Sequence, residues 1–273
     1  MPAVKPTKPD DVAPKVRLGR GRRPLQRRLR DAKDALYRQH IQEVAETLFA
    51  RQGFAATKMQ TIAARAGVSL ATLYQAYANK KALHRSILIE RDRQMLAVVE
   101  AHSGPGAATP QSVEQVLMFM SMHLQFLLNH ADYLRLQLQE GYAWYHNAAR
   151  PTCDEQLMWE QGLRQMMRVL AWGMQRKFFS PGDPADLTRL VLVHQQTRLA
   201  NWVMAGMREP HASVIARIQA DFVRMFCVPK QIARLLSPDG AALNAKTLQK
   251  IRSLAAEHAP RPNAIQLRER PAV

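Results

Sequence analysis

Between Met59 and Leu83 the chain reads MQTIAARAGVSLATLYQAYANKKAL, and one glycine limits what this stretch can become. Gly67 lies four residues after Ala63 and six before Leu73. A glycine there permits the positive φ of a tight turn, which a Cβ would oppose. A small residue at Ala63 lets two helices cross closely. Ile62, Ala63 and Ala66 form the buried side of the first helix, Val68 packs under the turn, and Leu73 points back into the core. Thr57 and Gln60 have the T-x-x-Q spacing of a capping box, which starts the first helix. Ser69 caps the second. Helix, glycine turn and helix in this order is the helix-turn-helix layout, about residues 58–77. In such a unit the second helix enters the major groove with its N-terminal residues nearest the bases.

That second helix, SLATLYQAY, carries no charge. Leu70 and Ala71 are candidates for contact with thymine methyl groups, and Gln75 for pairing with adenine. Thr57, Thr72 and Tyr74 offer hydroxyl groups to phosphates, and Lys80 and Lys81 offer ammonium groups. Tyr77 joins Ile62, Ala66, Val68 and Leu73 as predicted core. The run TIAARAGVSLATLYQAYANKKAL, with IQEVAETLFARQGFAATKMQ before it, resembles the N-terminal DNA-binding domain of the TetR family of transcriptional regulators. The likeness covers about residues 35–95 and is carried by G-V-S-x-x-T-L-Y-x-x-Y-x-N-K-x-x-L. It implies DNA contact at Thr57, Lys58, Ser69, Thr72, Tyr74 and Lys80. This chain departs at Leu70 and Ala71, where the family often has a basic or polar residue and then glycine.

Charge supports the same partner. The chain has a formal net charge of +17. Residues 1–40 hold 12 Lys+Arg against 4 Asp+Glu, and residues 41–90 hold 6 against 3. Most of the excess therefore sits in the first third, the footprint of a nucleic-acid binder. Residues 1–34 read as a disordered basic arm. Its segment GRGRRP resembles an AT-hook core, so Arg20, Arg22 and Arg23 are candidates for minor-groove or phosphate contact. A solvated tail that raises only nonspecific affinity is the alternative.

From Ala35 onward the apolar spacing is helical throughout, and no strand alternation occurs. The expected fold is all-α: an N-terminal three-helix helix-turn-helix DNA-binding domain (35–95) and a larger C-terminal helical regulatory and dimerisation domain (96–228). Residues 229–273 form a C-terminal extension with one helix, from Ala241 to about Glu257, and a disordered end. The TetR resemblance implies that two late helices form a homodimer interface. Leu190, Val193 and Thr197 mark one of these, expected over Ala185–Met207. Val214, Ile218, Phe222 and Met225 recur as a stripe on the other, expected over Val214–Phe226. Such a stripe is equally the face of an ordinary internal core. The segment VEQVLMFMSMHLQFLLNH is apolar nearly all round and reads as a central helix whose methionines suit an adaptable apolar cavity.

Other function classes lack their signatures. There is no G-x-S-x-G, H-E-x-x-H or P-loop, so no catalytic residue and no enzyme is expected. His123 and His130 are seven residues apart, wider than metal-ligand spacing, so neither a metal site nor a cofactor is expected. Two cysteines, Cys153 and Cys227, give no disulfide framework and fit a reducing cytoplasm;. No apolar run approaches the roughly 20 residues of a membrane span, and residues 1–30 contain no amphipathic helix for a membrane surface. The expected partners are double-stranded DNA, a second copy of the chain and a small apolar effector of unknown identity. A cytoplasmic, ligand-responsive repressor is the leading reading, nucleoid-associated in a bacterium. A DNA-organising protein of low sequence specificity is the rival.

Overall fold

The computed structural model describes residues 22–103, 109–139 and 153–258. Among these, eleven helices and two isolated bridges are the only regular elements. The first four helices build the head: α1 (Arg22–Gln52), α2 (Met59–Arg65), α3 (Leu70–Ala76) and α4 (Lys80–Ser103). The body contains α5 (Val113–Asn129), α6 (Ala131–Gln139), α7 (Cys153–Gln175), α8 (Pro184–Met204) and α9 (His211–Phe226). Two more helices, α10 (Pro229–Leu235) and α11 (Ala245–Glu257), close the chain.

The head core is small and apolar. Ile41, Ala45, Phe49, Ile62, Leu73 and Leu83 are essentially fully buried in it. The body core is larger and centres on α5, whose Val113, Leu117, Met118 and Leu124 are completely buried. Gln219 on α9 donates to the Leu117 carbonyl and to Ser121 Oγ, each at 2.7 Å. These bonds pair polar groups that burial alone would penalise. Head and body are joined along α1, α4 and α6. Arg91 on α4 holds the buried Glu46 of α1 at 2.9 Å. Tyr133 on α6 hydrogen-bonds Asp92 on α4. Gln139 donates to the Ala50 carbonyl at 3.1 Å.

Several expectations change here. α1 begins at Arg22, not near Ala35, so residues 22–34 of the supposed disordered arm are helical. Arg22 and Arg23 lie in its first turn, and Arg20 lies outside the described residues. Val214, Ile218 and Phe222 are buried against their own chain, so the α9 stripe is internal core and only Met225 of that set is exposed. On α8, Leu190 and Thr197 are exposed and Val193 is half-buried. α7 ends at Gln175: Lys177 takes positive φ (55°) and Phe179 pairs with Cys227 in an isolated bridge.

The C-terminal extension holds two helices, not one. Short α10 is started by Pro229 at its N-terminus and bonded by Arg234 to Glu114 of α5 at 2.5 Å. α11 starts at Ala245 because the Asn244 side chain accepts the Thr247 amide; Ala241 is in the preceding turn. α11 packs on α5 through Thr247, Ile251 and Leu254, so it covers the body.

One close approach tests this packing. A Cβ on Gly173 would stand 2.1 Å from the ring of Phe179. That ring is buried and meets Phe222 edge-on at 5.6 Å. Gly173→Ala is expected to cost about 1–3 kcal/mol by overpacking, with a loss of about 2–4 °C in Tm per kcal/mol. An unchanged thermal transition would show that the ring has room to move.

Candidate nucleic-acid interface

Gly53, at φ +84°, ends α1 and turns the chain toward α2. The Thr57 hydroxyl donates to the Gly53 carbonyl at 2.8 Å, and the side chain is completely buried. Thr57 therefore neither forms the expected capping box nor reaches a phosphate. Lys58 is the N-cap residue of α2, without a side-chain cap bond, and it is exposed.

Lys80 also changes role. Its ammonium donates to the carbonyls of Phe54 (2.6 Å), Ala55 (3.2 Å) and Thr57 (2.8 Å). It also lies over the Phe54 ring, 4.5 Å from the centroid. An ammonium has three N–H donors, and all three point into the α1–α2 loop. Lys80 is thus a staple of that loop and not a phosphate ligand. Beneath it, His84 meets Phe49 and Phe54 edge-on at 5.3 and 5.1 Å. Burial lowers the His84 pKa, which keeps the ring neutral beside the ammonium.

The glycine turn is built as its spacing requires. Gly67 has φ +64°, and Val68 N donates to the Ala63 carbonyl at 3.0 Å. Ser69 Oγ then accepts the Thr72 amide at 3.0 Å and caps α3. The two hydroxyls lie 2.8 Å apart, so one of their protons bridges them and the other is free for a phosphate. Leu73 is fully buried, which turns Ala71, Thr72, Tyr74 and Gln75 outward. Tyr74 is 47% exposed, high for an aromatic side chain with no packing role. Leu70 differs from expectation: it is half-buried and packs on the head core, so its methyl groups are only partly available to a base. Lys58 and Lys81, which flank α2 and α3 in sequence, are exposed too.

Two contributors escaped sequence reasoning. Asn79 accepts the Ala82 amide at 2.8 Å and starts α4, a cap legible in N-K-K-A;. The Lys80 staple had no local signal, because its acceptors lie on another loop. Among the described residues no group of three His, Cys, Asp or Glu is placed to hold a metal ion. No helix among them is long and apolar enough to cross a membrane.

Residues 41–87 match the profile of bacterial regulatory proteins of the tetR family. No curated protein matches the chain. Among solved structures it is similar to the ketosteroid transcriptional regulator KstR2 of Mycobacterium tuberculosis. The two share 19% identity over 70% of this chain and 95% of that one, with a TM-score of 0.57. The fatty acid degradation regulator FadR from Bacillus halodurans gives 18%, 68%, 94% and 0.55 in the same order. SmeT, the repressor of the Stenotrophomonas maltophilia multidrug efflux pump SmeDEF, gives 19%, 70%, 91% and 0.52. At such identities the likeness is one of fold, an all-α TetR-like fold with an N-terminal helix-turn-helix domain.

The two neighbouring lysines should separate in experiment. Lys80→Ala is expected to destabilise the protein by about 1–2 kcal/mol while leaving the slope of log K against log salt unchanged. Lys81→Ala should leave stability unchanged and lower that slope by about 0.9 per lost phosphate contact. Thermal unfolding and DNA titrations across salt read both.

Proposed function

We propose that this chain, with a tetR-type reading head on a TetR-like fold, is a transcriptional regulator that binds a palindromic operator as a dimer. The observation that carries the reading is the face of α3. Ala71, Thr72, Tyr74 and Gln75 stand outward and uncharged, and Lys58 and Lys81, on either side of them in sequence, are exposed. Cations at the edges position a duplex, and the neutral centre reads base edges and methyl groups. Ser69, Thr72 and Tyr74 serve the phosphates, Ala71 and Gln75 the bases, and Leu70 contributes the part of its side chain left outside the core.

A twofold operator calls for a twofold protein. α8 offers the surface: Leu190, Val193, Thr197 and Met204 recur at helical spacing, with Leu190 51% and Met204 76% exposed. Met225 of α9 is exposed as well. The sense of regulation is repression relieved by a small apolar effector. Support comes from the body, where Met95, Phe119, Met122, Met166 and Trp172 of α4, α5 and α7 are apolar and only partly buried. Burial pushes the pKa of His123 on α5 down to about 4, so its ring is neutral at pH 7. SmeT, KstR2 and FadR are regulators named for an efflux pump, ketosteroids and fatty acid degradation, in keeping with apolar effectors. Binding there shifts the population between two dimer geometries and so lowers DNA affinity. No catalytic role is proposed.

Selection of bound sites from random DNA is the deciding experiment. A palindrome bound several orders of magnitude above random duplex supports regulation, and equal affinity for all sequences supports a DNA-organising protein instead. Gln75→Ala is expected to relax preference at one position per half-site by about 1–3 kcal/mol. Leu190→Asp should yield a folded monomer in sedimentation, with operator affinity reduced more than affinity for a half-site.

A further inference from the structure

α1 outruns the domain it belongs to. From Ile41 onward it packs into the head core, yet every residue from Arg27 to His40 is exposed. The helix is nevertheless continuous from Arg22 to Gln52. Three contacts hold its inner part to the head. Tyr77 Oη donates to the Arg38 carbonyl at 3.4 Å, Gln42 donates to Ser86 Oγ at 3.0 Å, and Arg91 holds Glu46 at 2.9 Å. Tyr77 is the residue that ends α3, so α1 passes the C-terminal end of α3, the end nearest Tyr74 and Gln75, at Arg38. Followed backward from Arg38, α1 runs on beyond the residues that pack in the head core. At about 1.5 Å per residue the part from Arg38 back to Arg22 is a rod of about 24 Å.

Residues 22–40 hold seven Lys or Arg against two Asp. Lys33 lies over the Tyr37 ring, 5.6 Å from its centroid. This helix is too thick for the minor groove, about 10–12 Å against a groove about 6 Å wide. The minor-groove reading of Arg22 and Arg23 therefore does not fit a helical segment. A rod of this charge, running on from beside the end of the helix that carries Tyr74 and Gln75, is placed to meet the phosphate backbone beside the half-site.

We infer that Arg22–His40 is a second, rigid DNA-binding element, gripping phosphates that flank the operator half-site and supplying much of the salt-dependent affinity. Arg27, Arg28, Arg30 and Lys33 carry this contact. The inference rests on the head being a DNA reader, and the test separates the two. Full-length protein and the variant R27Q/R28Q/R30Q/K33Q are titrated over a salt series. The duplexes are the selected operator trimmed to its half-sites, the same operator with about 10 flanking base pairs on each side, and a random duplex.

The wild type should bind the flanked operator at least tenfold tighter than the trimmed one. The variant should lose that gain, and its slope of log K against log salt should fall by about 2–4, up to 0.9 per phosphate released. It should keep its melting temperature and its preference for the operator over random duplex. Unchanged slope and flank dependence in a variant that still selects the operator would overturn the inference and leave the head's reading intact. If no operator is selected, a slope lowered on random duplex still supports the element, and an unchanged slope overturns it. An apolar role for the exposed Leu29 and Leu36 is the competing explanation. L29Q/L36Q changing the oligomeric state, or abolishing binding to vesicles with 30% anionic lipid, while the arginine variant leaves the slope unchanged, would overturn it as well.

Discussion

The ammonium of Lys80 ties the start of α4 to three carbonyls of the α1–α2 loop, and the arrangement of the reading head depends on that tie. Without it, those carbonyls would compete for water beside the rings of Phe49, Phe54 and His84. With it, α2 begins at a fixed place relative to α4, and α3 is held between them. The Gly67 turn then sets the angle of α3 to α2. A charge usually associated with solvent or ligand acts here inside the scaffold. Lys58 and Lys81, by contrast, have their side chains exposed at the surface.

The head is not an independent bead on a string. Leu88 of α4 packs against both cores, and Leu136 of α6 is buried in the head cluster. The Glu46–Arg91 pair joins α1 to α4 with one partner almost fully buried. Breaking such a pair by removing one member leaves an uncompensated charge, so the two helices are held together in a defined register. Displacement of α4 or α6 by events in the body therefore reaches α1 through packed side chains and this ion pair.

Much of the head was legible because its signals are local. Ile62, Ala63, Ala66, Leu73 and Tyr77 are buried as their spacing requires, and Gly67 takes the conformation that only glycine adopts freely. What escaped was non-local. Thr57 sits at capping-box spacing, yet its hydroxyl turns back to Gly53, because the loop brings that carbonyl within reach first. A stripe such as Val214, Ile218 and Phe222 says that a helix has a buried face; it does not say whose core covers it. The basic segment before Ala35 reads as a tail by charge, but its leucines, arginines and alanines are also strong helix formers. Contiguity with a well-packed helix tips that balance. α10 is too short to show a period, and proline and a distant Glu114 define it.

Because α1 is one uninterrupted helix, it is also a lever. Near Ala50, at its C-terminal end, Gln139 of α6 touches it, and a pivot there would give the helix its full length as an arm. Its far end at Arg22 stands about 42 Å away at about 1.5 Å per residue. A tilt of about 5° at the pivot moves the far end by about 4 Å, more than the span of a hydrogen bond. Small rearrangements in the body thus need not propagate through the recognition helix to be felt on a duplex. They are amplified by length alone.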